Sequence, residues 1–130
     1  MGFQEYKEWA EINSIVIVQI EHIKAVENLT EIMSVEGVDG FIVGPYDLSA
    51  SMGLPGEFEN PEVKETLTKV TTFVNSSKKP GGYHVVHSNP ELLKEKIDDG
   101  YRFIAYGDDM VFFAETIKSE MNYISKIKEK

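Results

Sequence analysis

Short apolar segments alternate with helical segments along the whole chain, and this alternation limits the folds that it can form. Apolar residues at helical spacing predict a helix over residues 3–12. After it, strands are expected at 15–20, 40–43, 83–86 and 102–106, and helices at 23–34, from Asn60 to the break at 78–81, from Asn89 to Gly100, and from Met110 to the end. Such alternation builds a parallel sheet with right-handed crossovers.

Two folds made of parallel strands fit a chain of 130 residues. One is a small open sheet, as in flavodoxin-like domains. The other is half of a (β/α)₈ barrel, since a complete barrel needs roughly 250 residues. The length suffices for one core but not for two, so we expect a single α/β domain over residues 1–130 with an extra N-terminal helix.

Charge and composition exclude several classes of protein. The formal net charge of −9, without a basic cluster, makes nucleic acid a poor partner. The chain has no cysteine, which excludes disulfides, thiolate metal sites and cysteine nucleophiles. The first residues lack the apolar segment of a signal peptide, and apolar runs such as residues 15–18 are too short to span a bilayer. We therefore expect a cytoplasmic protein without a membrane partner.

The segment GFIVGPYDLSASMG, residues 40–53, is the clearest candidate for a functional site. Its apolar run breaks at Gly44-Pro45, and Asp47 follows. A carboxylate past the C-terminal end of a parallel strand lies where α/β folds keep their functional groups. Alternatively, Asp47 caps the next helix. Ser49 and Ser51 lack the Gly-x-Ser-x-Gly context of a serine nucleophile.

Glu21 ends the first expected strand, so it would share a sheet edge with Asp47. Two carboxylates completed by waters and substrate oxygens suit a hard cation such as Mg²⁺ or Mn²⁺, although two unrelated surface carboxylates would give the same spacing. Gln19 lies two residues before Glu21 and points to the same side of the strand, where it could reach a substrate oxygen or satisfy a backbone group. The amides around Tyr46 and Asp47 could form an anion-binding turn or an ordinary one.

Three histidines complete the candidates. His22 directly follows Glu21 and would support that side chain or start a loop. His84 lies within the third expected strand and His87 just after it. A histidine at a strand end can act as a base or a ligand, although a packed, hydrogen-bonded histidine is the commoner case.

Four segments together resemble the C-terminal half of the HpcH/HpaI family. They are VIVQIEHIKAVENL (16–29), VEGVDGFIVGPYDLSASMGLPGEF (35–58), KPGGYHVV (79–86) and GYRFIAYGDDM (100–110). This family comprises pyruvate-utilising class II aldolases, among them 4-hydroxy-2-oxoheptanedioate aldolase and 2-keto-3-deoxy sugar-acid aldolases. The resemblance covers nearly the whole chain, and the GPxDLSxSxG signature is specific.

The resemblance implies roles for particular residues. Glu21 and Asp47 match the family's two metal-ligand carboxylates, and the ion would be Mg²⁺, Mn²⁺ or Co²⁺. Gln19 matches a residue that contacts the pyruvate part of the substrate, and the backbone amides of Tyr46 and Asp47 match those that hold its carboxylate. His84 falls near the pocket for the aldehyde, where family members often have an aliphatic residue, so it is a departure from the pattern.

The resemblance also implies that half of the site is missing. The family's barrel has eight strands, and this chain matches the last four. The catalytic histidine and the arginine that stabilises the enolate belong to the N-terminal half, so no catalytic residue is assigned here. The implied function is the C-terminal portion of an aldolase that forms or cleaves a C–C bond between pyruvate, as its enolate, and an aldehyde.

Three alternatives to an active enzyme stay open: a non-catalytic truncated product, a subunit that needs a separate N-terminal half, and a plain structural module. A chain with the metal and pyruvate half-site alone is expected to be inactive by itself. We also expect a homo-oligomer or an N-terminal half-barrel as partner, because half a barrel has two open strand edges and an uncovered inward face.

Overall fold

The computed structural model describes residues 1–128. Within them lie seven helices and four strands. In chain order they are α1 (Phe3–Asn13), β1 (Ile17–Ile20), α2 (Ile23–Glu27), α3 (Leu29–Ser34), β2 (Gly40–Val43), α4 (Pro45–Ser51), α5 (Pro61–Ser76), β3 (Gly81–Val85), α6 (Pro90–Asp98), β4 (Phe103–Tyr106) and α7 (Asp109–Lys128). The last expected helix thus begins one residue early, and the expectation that it reaches the chain end falls, at residues 129–130, outside the described residues.

The four strands form one parallel sheet in the order β1-β2-β3-β4. Ile20 pairs with Val43, and Val43 pairs with Tyr83. Each strand therefore lies beside the next one along the chain, whereas a flavodoxin-like sheet places its first strand between the second and third. Consecutive parallel pairing is the arrangement of a barrel wall. The fold is a partial (β/α)₈ barrel, which confirms the second of the two expected folds and excludes the open flavodoxin-like sheet.

One face of the sheet carries the hydrophobic core. The buried strand residues on this face are Ile20, Phe41, Val43, Tyr83 and Val85. They pack against the helices: the ring of Phe41 lies 6.0 Å from the ring of Phe73 in α5, centroid to centroid. Asn60 and Asn89 cap α5 and α6 through side-chain oxygens that accept from backbone amides, and a proline follows each. The sequence Asn-Pro-Glu at residues 60–62 and 89–91 predicts this helix start, because asparagine is favoured as the cap and proline at the first helical position.

The opposite face, called here the inner face, would look into the centre of a closed barrel. Because side chains alternate along strands, it carries Ile17, Gln19, Ile42, Gly82, His84, Phe103 and Ala105. Gly82 needs to be glycine here, because a Cβ would lie 2.3 Å from the ring of Phe103. That ring covers the glycine backbone, while Ile17 remains 38% exposed. No layer of the described chain covers this face, so it remains partly open.

Two expected elements differ because of local packing. β1 begins at Ile17 rather than at 15, because the amide of Val16 donates to the side-chain Oδ2 of Asp39 at 2.7 Å instead of to a strand carbonyl. β3 begins at Gly81 rather than at 83 and ends at Val85. The two glycines lie inside the strand because large side chains occupy the space beside them: a Cβ on Gly81 would lie 2.9 Å from the Phe41 ring.

Two expectations about helices were wrong. The single helix expected at 23–34 is interrupted at Asn28, whose side-chain amide donates to the Lys24 carbonyl and whose backbone leaves the helical region. Such local side-chain bonds compete with the helix. On α6, the helical spacing of Leu92, Leu93 and Ile97 predicts that all three face inward, but Ile97 is 57% exposed.

The first and last helices carry exposed apolar side chains. On α1 these are Phe3, Tyr6, Trp9 and Ile12, and on α7 they include Met110, Phe113, Ile117, Met121 and Ile124. Apolar surface of this extent on a soluble domain marks an interaction site. Within residues 1–128, none of the helices combines the length and the apolar character needed to cross a membrane.

We expect the isolated chain to associate in solution. The unpaired edges of β1 and β4, the inner face and the apolar stripe of α7 offer several hundred Å² for burial, worth several kcal/mol at about 25 cal/mol per Å² before entropy costs. The charge of −9 on each copy opposes association but is screened at physiological salt. Light scattering coupled to size exclusion at micromolar concentration measures the outcome. A folded species of 14.7 kDa would contradict this expectation.

Candidate functional site

The candidate site lies at the edge of the sheet where the parallel strands end. The amide of Gly44 donates to the carbonyl of Ile20 at 3.1 Å, which extends the pairing of β1 and β2 by one step. Glu21 follows Ile20, so its backbone lies beside Gly44-Pro45. The sheet therefore brings the end of β1 next to the start of the GPYDLS segment, as the sequence predicted.

Gln19 and Glu21 lean over the backbone of Gly44. A Cβ built on Gly44 would lie 2.9 Å from Nε2 of Gln19 and 3.7 Å from Oε2 of Glu21. Both polar groups thus occupy the space that a side chain at position 44 would fill. This places Gln19 and Glu21 on the same side of β1, as their spacing indicated, and both are exposed.

Asp47 lies in a short helix that the sequence analysis treated as a loop. α4 has seven residues, begins with Pro45 at its first position and has Gly44 as its N-cap. The proline was the available signal for this helix, because proline is favoured at the first helical position. Asp47 lies in the first turn rather than at the cap, and its side chain is exposed. The alternative that Asp47 caps the next helix is therefore wrong.

The amides of Tyr46 and Asp47 precede the first hydrogen bond within α4, from the Leu48 amide to the Gly44 carbonyl at 2.9 Å. They consequently have no acceptor inside the helix. Ser49 is fully buried; its Oγ donates to the Tyr46 carbonyl at 2.8 Å and accepts from the Gly56 amide at 2.9 Å. This serine fixes the backbone of α4 and the loop after it, and its hydroxyl is not available as a nucleophile.

His84 lies on the inner face, level with Glu21. Since Ile20, Val43 and Tyr83 pair across three strands, the next residues, Glu21, Gly44 and His84, form the following level. Two strand spacings, about 10 Å, separate the backbones of Glu21 and His84. The residue between them is Gly44, so an opening without a side chain lies between a carboxylate and a half-buried imidazole.

The other two histidines lie outside this opening. His22 is the N-cap of α2, and its Nδ1 accepts from the Lys24 amide at 3.1 Å. His87 is exposed, and its Nδ1 lies 3.4 Å from Oε1 of Glu115 in α7. His22 is thus a helix cap, which is closer to the expected loop start than to a role beside Glu21.

A cleft of about 800 Å³ runs between α5 and α6, and Tyr46 and His84 are among its lining residues. It also contains the buried Lys96, whose Nζ donates to Asp99 at 2.9 Å and lies 5.2 Å from the centroid of the Tyr83 ring. Burial lowers the pKa of Lys96, but the hydrogen bonds that its ammonium group donates to Glu95 and Asp99 outweigh burial and hold the pKa above its ordinary value. Burial also raises the pKa of Tyr83 to about 12. Both shifts move the pKa further from neutral pH.

Glu21 and Asp47 are the groups that could hold a metal ion. Among residues 1–128, no cluster of three or more histidine, aspartate or glutamate side chains is arranged to do so. Two carboxylates nevertheless fit Mg²⁺ and Mn²⁺, which keep several waters and take their remaining oxygens from substrate. The donor set is therefore compatible with a hard cation that is shared with an oxygen-rich ligand.

Comparison with known proteins decides the family. Residues 4–116 match the family described as HpcH/HpaI aldolase/citrate lyase. The chain belongs to the HpcH/HpaI family. This membership confirms the resemblance carried by the GPxDLSxSxG signature.

Curated HpcH/HpaI relatives include a 4-hydroxy-2-oxo-heptane-1,7-dioate aldolase of Escherichia coli, which is 36% identical over 115 residues. A hydroxypyruvate/pyruvate aldolase of Roseobacter denitrificans is 32% identical over 114 residues. Each match covers 88% of this chain but only 43% and 44% of the respective relatives. The chain thus spans less than half the length of the curated relatives that it matches.

A solved structure of an HpcH/HpaI aldolase from Desulfitobacterium hafniense also matches this chain over about half of its own length. It superposes with a TM-score of 0.76 at 27% identity and covers 100% of this chain and 49% of that one. The half-barrel is therefore a recognisable half of the family's fold.

Replacing Gly44 by alanine tests the packing around this residue. At φ −97° alanine is unstrained, and the closest atom is the end of the flexible Gln19 side chain, so we expect stability to change by less than about 0.5 kcal/mol while Gln19 moves. The side-chain amide signals of Gln19 in a ¹H–¹⁵N spectrum report the movement.

Gly53→Ala is the matched control, in which the backbone is strained but no neighbouring side chain has to move. Gly53 has φ +78° and open space around its Cβ position, so alanine strains the backbone by about 1 kcal/mol without displacing a neighbour. Thermal unfolding should shift in this variant, and the Gln19 signals should not. Unmoved Gln19 signals in Gly44→Ala would show that the two residues are not in contact.

Proposed function

We propose that this chain is the C-terminal half of a metal-dependent aldolase that forms or cleaves a C–C bond between pyruvate, as its enolate, and an aldehyde. The observation that carries the proposal is the convergence of Gln19 and Glu21 over Gly44, beside the helix that bears Asp47. Family membership and a relative named for pyruvate support the substrate class.

Glu21 and Asp47 would hold the ion, which is Mg²⁺, Mn²⁺ or Co²⁺. Both carboxylates are exposed at the sheet edge, so they can bind an ion that also binds water and substrate. When bound, such an ion offsets negative charge that develops on a keto oxygen. The acidic chain, with a net charge of −9, favours the approach of the cation.

Gln19 and the first turn of α4 would orient the 2-keto acid. The Nε2 group of Gln19 is a neutral donor above Gly44, placed to donate to a substrate oxygen. The amides of Tyr46 and Asp47, which lack acceptors inside α4, are suited to a carboxylate. His84 lies across the opening and would contact the aldehyde portion.

In this proposal the half-barrel binds and orients the substrate, but none of its described residues is assigned as the group that accepts the substrate's proton. By its similarity to the family, the catalytic histidine and arginine belong to the N-terminal half. That half would cover the inner face, either as part of the same polypeptide or as a separate subunit, and a second copy of this chain is the other partner that could cover it. The chain covers 43% of a curated relative and 49% of a solved family structure. These fractions favour a complementary half-barrel over a second copy of this chain as the partner.

Metal titration tests the half-site. Mn²⁺ affinity, measured by the electron paramagnetic resonance of free Mn²⁺, should fall at least about tenfold in Glu21→Ala and in Asp47→Ala, because each variant removes one of two proposed ligands. Glu27→Ala is the control, since it removes an exposed charge from the neighbouring helix α2. Equal affinity in all three variants would mean that Mn²⁺ binds only through net charge.

Catalysis is expected to require the complementary half. Release of pyruvate from a 4-hydroxy-2-keto acid, followed with Mg²⁺, Mn²⁺ or Co²⁺ present, should be undetectable for the isolated chain. It should appear when an N-terminal half-barrel of a family member is supplied in trans, and Asp47→Ala should abolish it. Turnover by the isolated chain at the rate of a complete aldolase would contradict the assignment of the catalytic groups to the missing half.

A further inference from the structure

The last residue of α4, Ser51, connects the two segments that bear the carboxylates. Its Oγ accepts a hydrogen bond from the Ile23 amide at 2.9 Å and donates one to the Leu48 carbonyl at 2.7 Å. Ile23 comes two residues after Glu21, and Ser51 comes one helical turn after Asp47. A single partly buried hydroxyl therefore joins the start of α2 to the end of α4.

Two other serines at helix ends show that the bond from the Ile23 amide to Ser51 is not a general feature of a helix C-terminus. Ser34 and Ser76 are the last residues of α3 and α5, and their hydroxyls donate to carbonyls three residues earlier, at 2.7 Å and 3.0 Å. Bonds of this kind are local and common at helix ends. They account for the donation from Ser51 but not for its acceptance from Ile23, which is 28 residues away in sequence.

The partner of Ser51 is a backbone group that the helix itself does not satisfy. Ile23 is the first residue of α2, so its amide has no acceptor within that helix. The neighbouring Lys24 amide donates to His22 Nδ1. Ser51 therefore completes the cap of α2 from outside and determines where α2 begins relative to α4.

Two hydrogen bonds close a ring of backbone around the proposed ligands. One is the bond from the Gly44 amide to the Ile20 carbonyl, and the other is the bond from the Ile23 amide to Ser51. Glu21 lies on the arm of the ring from residue 20 to 23, and Asp47 lies on the arm from 44 to 51. The ring holds both carboxylate-bearing arms at one separation.

We propose that Ser51 is a positioning residue that sets the distance between Glu21 and Asp47 for a shared divalent cation. This proposal rests on the proposed function, in which the two carboxylates are the ligands. Without the hydroxyl, the Gly44–Ile20 bond is the one hydrogen bond that remains between the arm that bears Asp47 and the arm that bears Glu21 in the described chain. The two carboxylates then lose their fixed separation, although each keeps its charge.

The test compares Mn²⁺ affinity among serine variants of the whole chain. Ser51→Ala should weaken binding about tenfold, the effect typical of losing a group that orients a ligand. Ser51→Thr keeps a hydroxyl and should restore affinity, whereas Ser51→Val, with nearly the same shape, should not. Ser76→Ala removes the matched helix-end hydroxyl of α5 and should leave affinity unchanged.

The results separate failure of this proposal from failure of the proposed function. If Glu21→Ala and Asp47→Ala weaken binding but Ser51→Ala does not, Ser51 has no positioning role and the two-ligand site stands. If neither carboxylate variant weakens binding, the site fails and the role of Ser51 fails with it. Equal loss in Ser51→Thr and Ser51→Val would also overturn the proposal, because it would show a steric effect.

A measurement on the unaltered chain applies if Ser51→Ala does not fold. Saturating Mg²⁺ should slow hydrogen exchange of the Ile23 amide at least about tenfold, since an ion held by both arms opposes opening of the ring. The Ser77 amide, which donates to the Phe73 carbonyl at the end of α5, is the reference and should not change. Exchange at Ile23 that does not respond to Mg²⁺ would overturn the proposal.

Discussion

Consecutive parallel pairing of the four strands is the constraint on which the rest of this structure depends. It requires a crossover after every strand, and because crossovers share one hand, the helices collect on one face of the sheet. That face holds the buried core around Phe41 and Val43. The same pairing brings all four strand ends to one edge, where Glu21, the GPYDLS segment and His84 meet. The buried core and the candidate site therefore both follow from the order in which the strands pair.

Glycine shapes the site as much as the polar groups do. Gly44 lies between Glu21 and His84 on the same level of the sheet, and its missing side chain leaves the space that Gln19 and Glu21 enter. Two residues earlier along the strands, the missing side chain of Gly82 leaves the space that the ring of Phe103 occupies on the inner face. Small residues in the middle strands therefore let long side chains from the outer strands reach toward the centre of the barrel.

The open inner face links the proposed chemistry to the proposed assembly. A closed barrel has no strand edges, and its interior is filled by side chains from all eight strands. In this chain the inner face, which the proposed function leaves without its catalytic groups, also exposes apolar area at Ile17 and part of Ile42. One complementary half would supply those groups and bury that area together. The apolar stripe of α7 lies outside this surface and would be a separate site of association.

The sequence by itself determined the number of strands and their parallel direction, since four short apolar runs separated by helical segments need a crossover after each strand. It also placed Gln19 and Glu21 on the same side of β1, beside the segment that bears Asp47, because side-chain alternation and parallel strand ends follow from local geometry. The family resemblance came from the same residues. Local rules further predicted the starts of α5 and α6 correctly, through asparagine caps followed by proline.

Tertiary structure decided the features that depend on contacts distant in sequence. Whether the sheet was a barrel wall or flavodoxin-like depended on which strand lies beside β1, and both orders satisfy the same local pattern. The helix α4 was missed because seven residues give too little periodicity to distinguish a helix from a turn. The bond from Ile23 to Ser51 joins residues 28 apart, so no local rule could assign it. Periodicity in the sequence predicts which side of a helix or strand a residue faces, whereas its contact partner is defined only in the folded structure.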